Sequence, residues 1–165
     1  MRNFETALSG GDLRSIGNSD SVVSEIRNQA NFDALFKLLF HGDRIVVMRA
    51  ADAIEKITIN HPEYLGRYTH EVFELCKTAV NKELKWHLAL LIPRLSLTKK
   101  DAAKATSILN DWLSDPNNSN IVRVNALQGL VDLAPDKTHL DDLFAKLEKE
   151  QIPSISSRIR KLRSK

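Results

Sequence analysis

The fold of this chain is decided by a pattern that first appears at residues 43–57, which read DRIVVMRAADAIEKI. The pattern returns 38 residues later at 81–95, NKELKWHLALLIPRL, and again after the same interval at 119–133, SNIVRVNALQGLVDL. Each stretch opens on Asp, Asn or Ser, whose side chains accept hydrogen bonds from the free N–H groups of a first helical turn. A fixed period of this length indicates a repeat protein.

Apolar residues occupy matching positions in the three stretches, and spacings of four, four and three place them on one helical face. The matched sets are Val46, Leu84 and Val122; Ala50, Leu88 and Ala126; Ile54, Ile92 and Leu130; and Ile57, Leu95 and Leu133. A second polar series, Asn60, Thr98 and Asp136, shares the period, and each member precedes another stretch of helical character. Each unit is therefore predicted to be two helices joined by a short polar turn.

The same signals predict elements outside the three matched stretches. An earlier helix pair is expected at about 20–29 and 32–40, and the last pair is expected to end in 154–163. Residues 61–80 are expected to be helical. Thr98 and Thr138 are each followed three residues later by Asp, which resembles a capping box. Pro93 is expected to bend or end its helix, because it lacks an N–H and clashes with the preceding turn.

The composition is that of an ordinary globular domain, with 165 residues, 42% hydrophobic and 27% charged. Cys76 is the only cysteine, which excludes an internal disulfide and favours a reducing, cytoplasmic location. The N-terminal stretch has no continuous apolar run, so we expect neither a signal peptide nor a membrane anchor. No segment approaches the roughly 20 apolar residues of a spanning helix.

The net charge of +3 comes from the C-terminal tail. From residue 154 onward there are five basic residues and no acid, which leaves 19 basic against 21 acidic residues elsewhere. The basic residues of the tail are Arg158, Arg160, Lys161, Arg163 and Lys165. The first four are predicted to contact phosphates or an acidic partner.

The repeat unit resembles HEAT and armadillo repeats, because it is a helix–turn–helix of 38 residues with an apolar–basic step at Leu84-Lys85 and Val122-Arg123. Over nearly its full length the chain resembles small bacterial HEAT-repeat proteins, in the stretches GDLRSIGNSD, VVMRAADAIEKIT, KWHLALLIPRL, IVRVNALQGLVDLA and SRIRKL. The resemblance implies an all-α fold, a right-handed α-solenoid of about four repeats in a single domain. The implied divisions are an irregular N-terminal cap 1–30 and repeats 31–60, 61–97, 98–135 and 136–165.

A helical wheel at 100° per residue separates buried from open positions on the second helix of each unit. In HEAT-like proteins these helices line the concave side. The positions opposite the buried stripe are Arg49, His87 and Asn125; Asp52, Leu90 and Gln128; and Lys56, Arg94 and Asp132. The residues predicted to bind a partner in this groove are Arg49, Lys56, His87, Arg94 and Asn125. The alternative is a solvated helix face, in which Asp52 pairs with Lys56 one turn away.

Three further residues lie at the edge of the buried stripe. The HEAT resemblance implies that Lys85 and Arg123 join neighbouring repeats through hydrogen bonds, which is a structural role. Trp86 shares its position with Met48 and Val124, both apolar, so packing between repeats is the first interpretation. The second is a partly exposed anchor on the groove rim, because tryptophan is enriched at the energetic centres of interfaces.

No catalytic or metal-binding motif is found in the sequence. The five histidines fall in different segments without ligand spacing, and no phosphate-binding glycine loop or G-x-S-x-G occurs. Cys76 follows Leu75 in a helical stretch, which favours a buried thiol. No cofactor and no metal are expected.

Three functions remain open. The first is a non-enzymatic scaffold or adaptor that binds a protein or peptide through a concave face. The second is nucleic-acid binding by that face and the basic tail, as in HEAT-like DNA glycosylases. The third is an enzyme, for instance a lyase of the HEAT-like type, and it rests on fold analogy alone.

Overall fold

The computed structural model describes residues 3–11, 17–134 and 140–164, and these residues form α-helices and short 3₁₀ turns without any β-strand. The ten α-helices of the described ranges are α1 (Phe4–Leu8), α2 (Ser19–Glu25), α3 (Gln29–Phe36), α4 (Arg44–Asn60), α5 (Thr69–Thr78), α6 (Lys82–Leu91), α7 (Lys99–Ser114), α8 (Asn120–Leu133), α9 (Leu140–Glu148) and α10 (Pro153–Arg163). Three 3₁₀ turns lie at Lys37–Phe40, Pro62–Leu65 and Ile92–Arg94. The prediction of an all-α protein is confirmed.

The three repeated stretches form α4, α6 and α8, and their first residues are the N-caps of these helices. The carboxylate of Asp43 accepts from the Ile45 N–H at 2.8 Å. Thr98 and Asp101 form the predicted capping box at the start of α7. The second predicted box, at Thr138, and the predicted cap Asp136 lie outside the described residues.

The apolar stripe predicted from the period is buried. Eleven of its twelve residues are among the buried hydrophobic side chains, and Leu133 at the end of α8 is half-buried. A stripe of this kind stabilises a helix by packing against its neighbours, since the helix alone is marginal in water.

Helix boundaries depart from the sequence prediction at two places. The early pair lies at 19–25 and 29–36, because the side chain of Asn28 accepts from the Asn31 N–H at 2.9 Å and caps α3 there. The stretch 61–80 is not one helix: Pro62 begins a 3₁₀ turn, where its fixed φ fits, and α5 starts only at Thr69.

The prediction for Pro93 is confirmed. Helix α6 ends at Leu91 and tightens into the 3₁₀ turn Ile92–Arg94. Proline supplies no N–H for the carbonyl of Ala89, so the regular helix cannot continue through it.

The described chain divides into two compact units, which we treat separately. The first contains the residues up to Val72 together with Arg94–Ser96. Helix α4 is its centre, and α1, α2, α3 and the first two 3₁₀ turns pack against it. Large side chains that are fully buried here include Leu8, Phe32, Phe36 and Ile54.

The second unit contains Phe73–Pro93 and the residues from Leu97 onward. Helix α8 is its centre and packs against α6, α7 and α10. Gly129 makes this packing close: a Cβ built on it would lie 2.6 Å from the carbonyl oxygen of Ala89. Most side chains of α8, including Arg123 and Asn125, are therefore buried.

Candidate functional site

Arg49, predicted to face an open groove, is buried, with 2% of its surface exposed. Its Nη1 donates to the carbonyl oxygens of Leu8 at 2.8 Å, Ser9 at 3.3 Å and Gly10 at 2.6 Å. The structure thus corrects the expected exposure of Arg49. A wheel drawn for α4 alone does not show that residues from the start of the chain cover the face opposite the stripe.

Glycines shape the backbone around the Arg49 guanidinium. Gly10, Gly11 and Gly17 have φ angles of +75°, +74° and +56°, which side-chain-bearing residues rarely adopt. A Cβ on Gly17 would lie 2.8 Å from Cζ of Arg49, and one on Gly11 would lie 3.1 Å from its Nη2. Two of the three glycines therefore also leave room for the guanidinium.

The other two α4 residues opposite the stripe are also bonded to the start of the chain. The Ser19 hydroxyl donates to the carboxylate of Asp52. Lys56 Nζ lies 2.7 Å from Asp20 Oδ1 and 2.8 Å from Asp52 Oδ2, which confirms the expected pairing with Asp52. Burial lowers the pKa of Lys56, but the hydrogen bonds to Asp20 and Asp52 outweigh it, so the pKa is raised.

We call Arg49, Asp52 and Lys56 the polar face of α4, and residues 4–11 with 17–25 the N-terminal segment. Every member of the polar face has a hydrogen bond to the N-terminal segment. Partner binding by Arg49 and Lys56 stays a prediction, and Lys56 is the member with more accessible surface.

Arg94 and Asn125 donate to backbone carbonyls as well. Arg94 Nη1 lies 2.6 Å from the Glu55 carbonyl oxygen and 2.8 Å from Thr58 Oγ1, at the end of α4. Asn125 Nδ2 lies 3.3 Å from the Trp86 carbonyl oxygen. Asn125 and His87 are buried, where an open face was expected. For Asn125, the backbone of α6 at Trp86 lies on that side.

Three side chains that lie opposite the stripe share one chain separation in their bonds to carbonyls. Arg49, Arg94 and Asn125 each donate to a carbonyl 39 residues earlier, on Gly10, Glu55 and Trp86 respectively. Arg49 and Asn125 occupy the same position in the 38-residue pattern. A recurring bond at this separation is a structural counterpart of the sequence period.

Trp86 is half-buried, and its ring lies 5.4 Å from the ring of the buried His87, tilted by 60°. Leu90 and Pro93, four and seven residues further along, are also half-buried. Trp86 and Leu90 lie one turn apart on the same side of α6, and Pro93 follows them in the 3₁₀ turn Ile92–Arg94. We call Trp86, Leu90 and Pro93 the α6 strip.

The HEAT resemblance implies a structural role for Lys85 and Arg123, and the contacts of both residues agree with that role. Arg123 is buried; its Nε donates to the Leu113 carbonyl at 2.6 Å and its Nη2 to Glu150 Oε2 at 2.5 Å. Lys85 Nζ donates to Asn118 Oδ1 at 3.1 Å and lies over the ring of Trp112. Both therefore fix turns of the second unit.

The basic tail forms helix α10, which buries Ile155, Ile159 and Leu162. Two of its predicted contact residues are bonded within the chain: Arg158 Nη1 donates to Gln128 Oε1 at 2.9 Å, and Arg163 Nη1 donates to Glu148 Oε1 at 2.7 Å. The other two, Arg160 and Lys161, are exposed.

One polar cluster was missed by the sequence reasoning. Asp33 Oδ1 accepts from Tyr68 Oη at 2.5 Å and from Gln29 Nε2 at 2.9 Å, while its Oδ2 accepts from Arg67 Nη2 at 2.5 Å. The Tyr68 ring stacks on Phe36 with centroids 3.8 Å apart. Apart from Gln29, these partners are 34 or 35 residues away from Asp33 in the chain and show no repeat spacing, so no local signal marks them.

This cluster shifts the pKa values of both its acids. Burial raises the pKa of Asp33, but hydrogen bonds from Tyr68 and Gln29 and the charge of Arg67 outweigh it, so the pKa is lowered. Burial and the bond to Asp33 raise the pKa of Tyr68 to about 12. The phenol is therefore a stable donor to the carboxylate, which fits a structural role.

The described ranges contain no group of three or more His, Cys, Asp or Glu residues arranged to hold a metal ion. His139, one of the five histidines, lies outside them. Burial raises the pKa of the Cys76 thiol to about 12, so it is protonated and unreactive at neutral pH. Within the same ranges no helix has the length and apolar character required to cross a membrane.

The chain was compared with protein-family models, curated proteins and solved structures, and none of the three comparisons found a match. Functional inference therefore rests on the residues and contacts described above. Among the features described, those with accessible surface are the α6 strip, the exposed Arg160 and Lys161 of α10, and Lys56 on α4.

Proposed function

We propose that this protein is a non-enzymatic scaffold or adaptor that binds a partner protein or peptide, and that its helix pairs form a HEAT-type right-handed solenoid. Support for the solenoid comes from the 38-residue period and from the side chains that donate to carbonyls 39 residues earlier. Solenoids bury a continuous core and present an extended surface, which suits the binding of peptides and helices. The single buried cysteine suits a reducing, cytoplasmic location.

The observation that carries the binding proposal is the α6 strip. The chain has two tryptophans; Trp112 is buried, whereas Trp86 keeps part of its surface accessible and is continued by Leu90 and Pro93. An amphipathic partner helix binds by laying its own apolar face against accessible apolar side chains such as these. Tryptophan loses little rotational freedom for the large area that it buries, so it dominates such contacts.

The test is affinity capture from the native host with wild-type, Trp86→Ala and Ile108→Ala proteins as baits. Ile108 on α7 is half-buried like Trp86 and serves as the matched control. Truncating an anchor costs roughly 2 kcal/mol or more, so a captured protein should bind Trp86→Ala about 30-fold more weakly. Circular dichroism confirms that both variants fold.

A protein that binds wild type and Ile108→Ala but is lost with Trp86→Ala supports the proposal. Equal binding to all three baits would show that the partner binds a different surface, and the proposed role of the α6 strip would be wrong.

A second candidate is nucleic-acid binding through α10, favoured by two adjacent exposed basic residues, Arg160 and Lys161, on a helix without acids. Phosphate contacts make affinity fall steeply with salt. Duplex DNA titrated into Arg160→Glu/Lys161→Glu should then bind far more weakly than to wild type. The control is Lys99→Glu/Lys100→Glu, an exposed basic pair at the start of α7 with the same charge change. No DNA binding by wild type at low salt excludes this candidate.

A further inference from the structure

The polar face of α4 holds the N-terminal segment as a surface holds a ligand. Arg49 donates hydrogen bonds to three carbonyl oxygens at and just after the end of α1. The Asp52 carboxylate accepts a hydrogen bond from the Ser19 hydroxyl. Lys56 forms an ion pair with Asp20. The contacts thus combine backbone recognition with one hydroxyl and one charge pair.

The Arg49 contact recognises a helix end independently of side-chain identity. The last carbonyls of a helix have no partner within it, and a guanidinium carries several donors in a fixed plane. Gly10, at the end of the run, provides the closest of the three carbonyl oxygens, at 2.6 Å. Arg49 therefore fits a short helix whose last carbonyl is followed by a cap residue and a glycine.

The N-terminal segment has the properties of a docked element. Helices α1 and α2 have five and seven residues, too short to be stable alone, and they pack against α4 and against each other. Phe4, Leu8 and Val22 supply buried apolar contacts. The Asp20–Lys56 pair is largely open, with 72% of the Asp20 side chain exposed, so it holds the segment weakly and less at high salt.

We propose that the N-terminal segment is a displaceable intramolecular ligand of the polar face of α4, and that it shields this face from binding segments of the same chemistry. Such a segment is a short helix followed by a glycine, with a Ser–Asp pair at the start of a second helix further along the chain. This surface is separate in residues from the α6 strip, and the proposal goes beyond the function argued above.

The experiment uses the full chain and a fluorescent synthetic peptide of residues 1–25 as the probe. The variant Gly17→Ala/Asp20→Ala weakens the segment and leaves the polar face intact: the new Cβ at 17 would lie 2.8 Å from Cζ of Arg49, and Lys56 loses Asp20. Gly42→Ala/Asp141→Ala is the matched control, since Gly42 has open space around it and Asp141 is exposed.

Fluorescence anisotropy should show the peptide bound at least tenfold more tightly by Gly17→Ala/Asp20→Ala than by wild type or the control. A peptide that carries the same two substitutions should lose this binding. Equal affinity for all three proteins would overturn the proposal, as would global unfolding of the Gly17→Ala/Asp20→Ala variant, because the segment would then be an inseparable part of the core.

Hydrogen exchange on the wild-type chain gives a second test that needs no substitution. The Ser9 N–H, bonded to the Glu5 carbonyl, should exchange by an opening that leaves α4 protected. Equal protection of α1 and α4 contradicts the proposal. Neither measurement involves Trp86 or a host partner, so these results are independent of the capture experiment.

Discussion

Gly129 offers the sharpest test of the packing in the second unit. Replacing glycine by alanine within an exposed helix stabilises it by roughly 1 kcal/mol, because glycine loses more backbone freedom on folding. At Gly129 the structure predicts the opposite sign. The added Cβ would lie 2.6 Å from the Ala89 carbonyl oxygen and 3.0 Å from Leu109 Cδ1.

The size of the effect follows from what must move. Ordinary contact begins at 3.4 Å, so α8 and α6 would have to separate by most of an ångström at this point. The nearest obstacle is a backbone atom, which cannot rotate away. Overpacking of this kind costs about 1–3 kcal/mol. Because the obstacle is backbone, the upper part of this range, about 2–3 kcal/mol, applies, and after the gain of about 1 kcal/mol in helix propensity we expect a net loss of about 1–2 kcal/mol.

Urea unfolding followed by far-ultraviolet circular dichroism measures this loss by linear extrapolation. A thermal scan should show the midpoint of Gly129→Ala lowered by roughly 2–4 °C per kcal/mol for a chain of this size. Gly42→Ala is the control, since a Cβ there meets nothing within 4 Å, and it should be neutral or slightly stabilising. If Gly129→Ala were as stable as wild type, the close approach of α8 to α6 would be refuted.

Three further predictions test the buried polar groups. Arg123→Met should cost about 1–3 kcal/mol in urea unfolding, because the buried Leu113 carbonyl loses its donor, and Glu150→Gln should cost less, because an amide oxygen still accepts from Arg123 Nη2 at a site partly open to water; equal costs would contradict the assigned bonds. In a Tyr64→Phe chain Tyr68 is the remaining tyrosine, and phenolate absorbance should show it ionising near pH 12. The free energy of unfolding should fall as the pH rises from about 10 to 12, because the tyrosine of the unfolded chain ionises first. Ionisation of Tyr68 at about pH 10 in the folded chain would be inconsistent with its bond to Asp33. Cys76 should react with a thiol reagent slowly in the native protein and rapidly in urea at the same pH; equal rates would show that it is not buried.

Local signals in the sequence were sufficient for α4, α6, α7 and α8 and for the apolar stripe, but not for the bounds of the early pair or of α5. Asp43 and Thr98 cap helices through their own side chains, and such bonds depend only on residues two or three positions away. The stripe of α4, α6 and α8 follows from a spacing within each helix. Pro93 ends α6 for an equally local reason.

Contacts between segments that are distant in the chain could not be predicted from these local signals. The wheel placed Arg49 opposite the stripe of α4, yet the glycine-rich start of the chain covers that side. Asp33 and Tyr68 meet across 35 residues, a separation that differs from the 38-residue period. In both cases burial depends on which segment packs against the helix, and a helix's own sequence does not contain that information.

The central claim is that three polar residues opposite the stripe, Arg49, Arg94 and Asn125, donate to backbone carbonyls from an earlier part of the chain. Arginine side-chain NMR on the wild-type protein, with resonances assigned by single Arg→Lys variants, measures how fast guanidinium protons exchange with water. Arg49, buried against three carbonyls, should exchange at least tenfold more slowly than the exposed Arg160. Exchange of Arg49 as fast as that of Arg160 would contradict the account, because the guanidinium would then stand in open solvent.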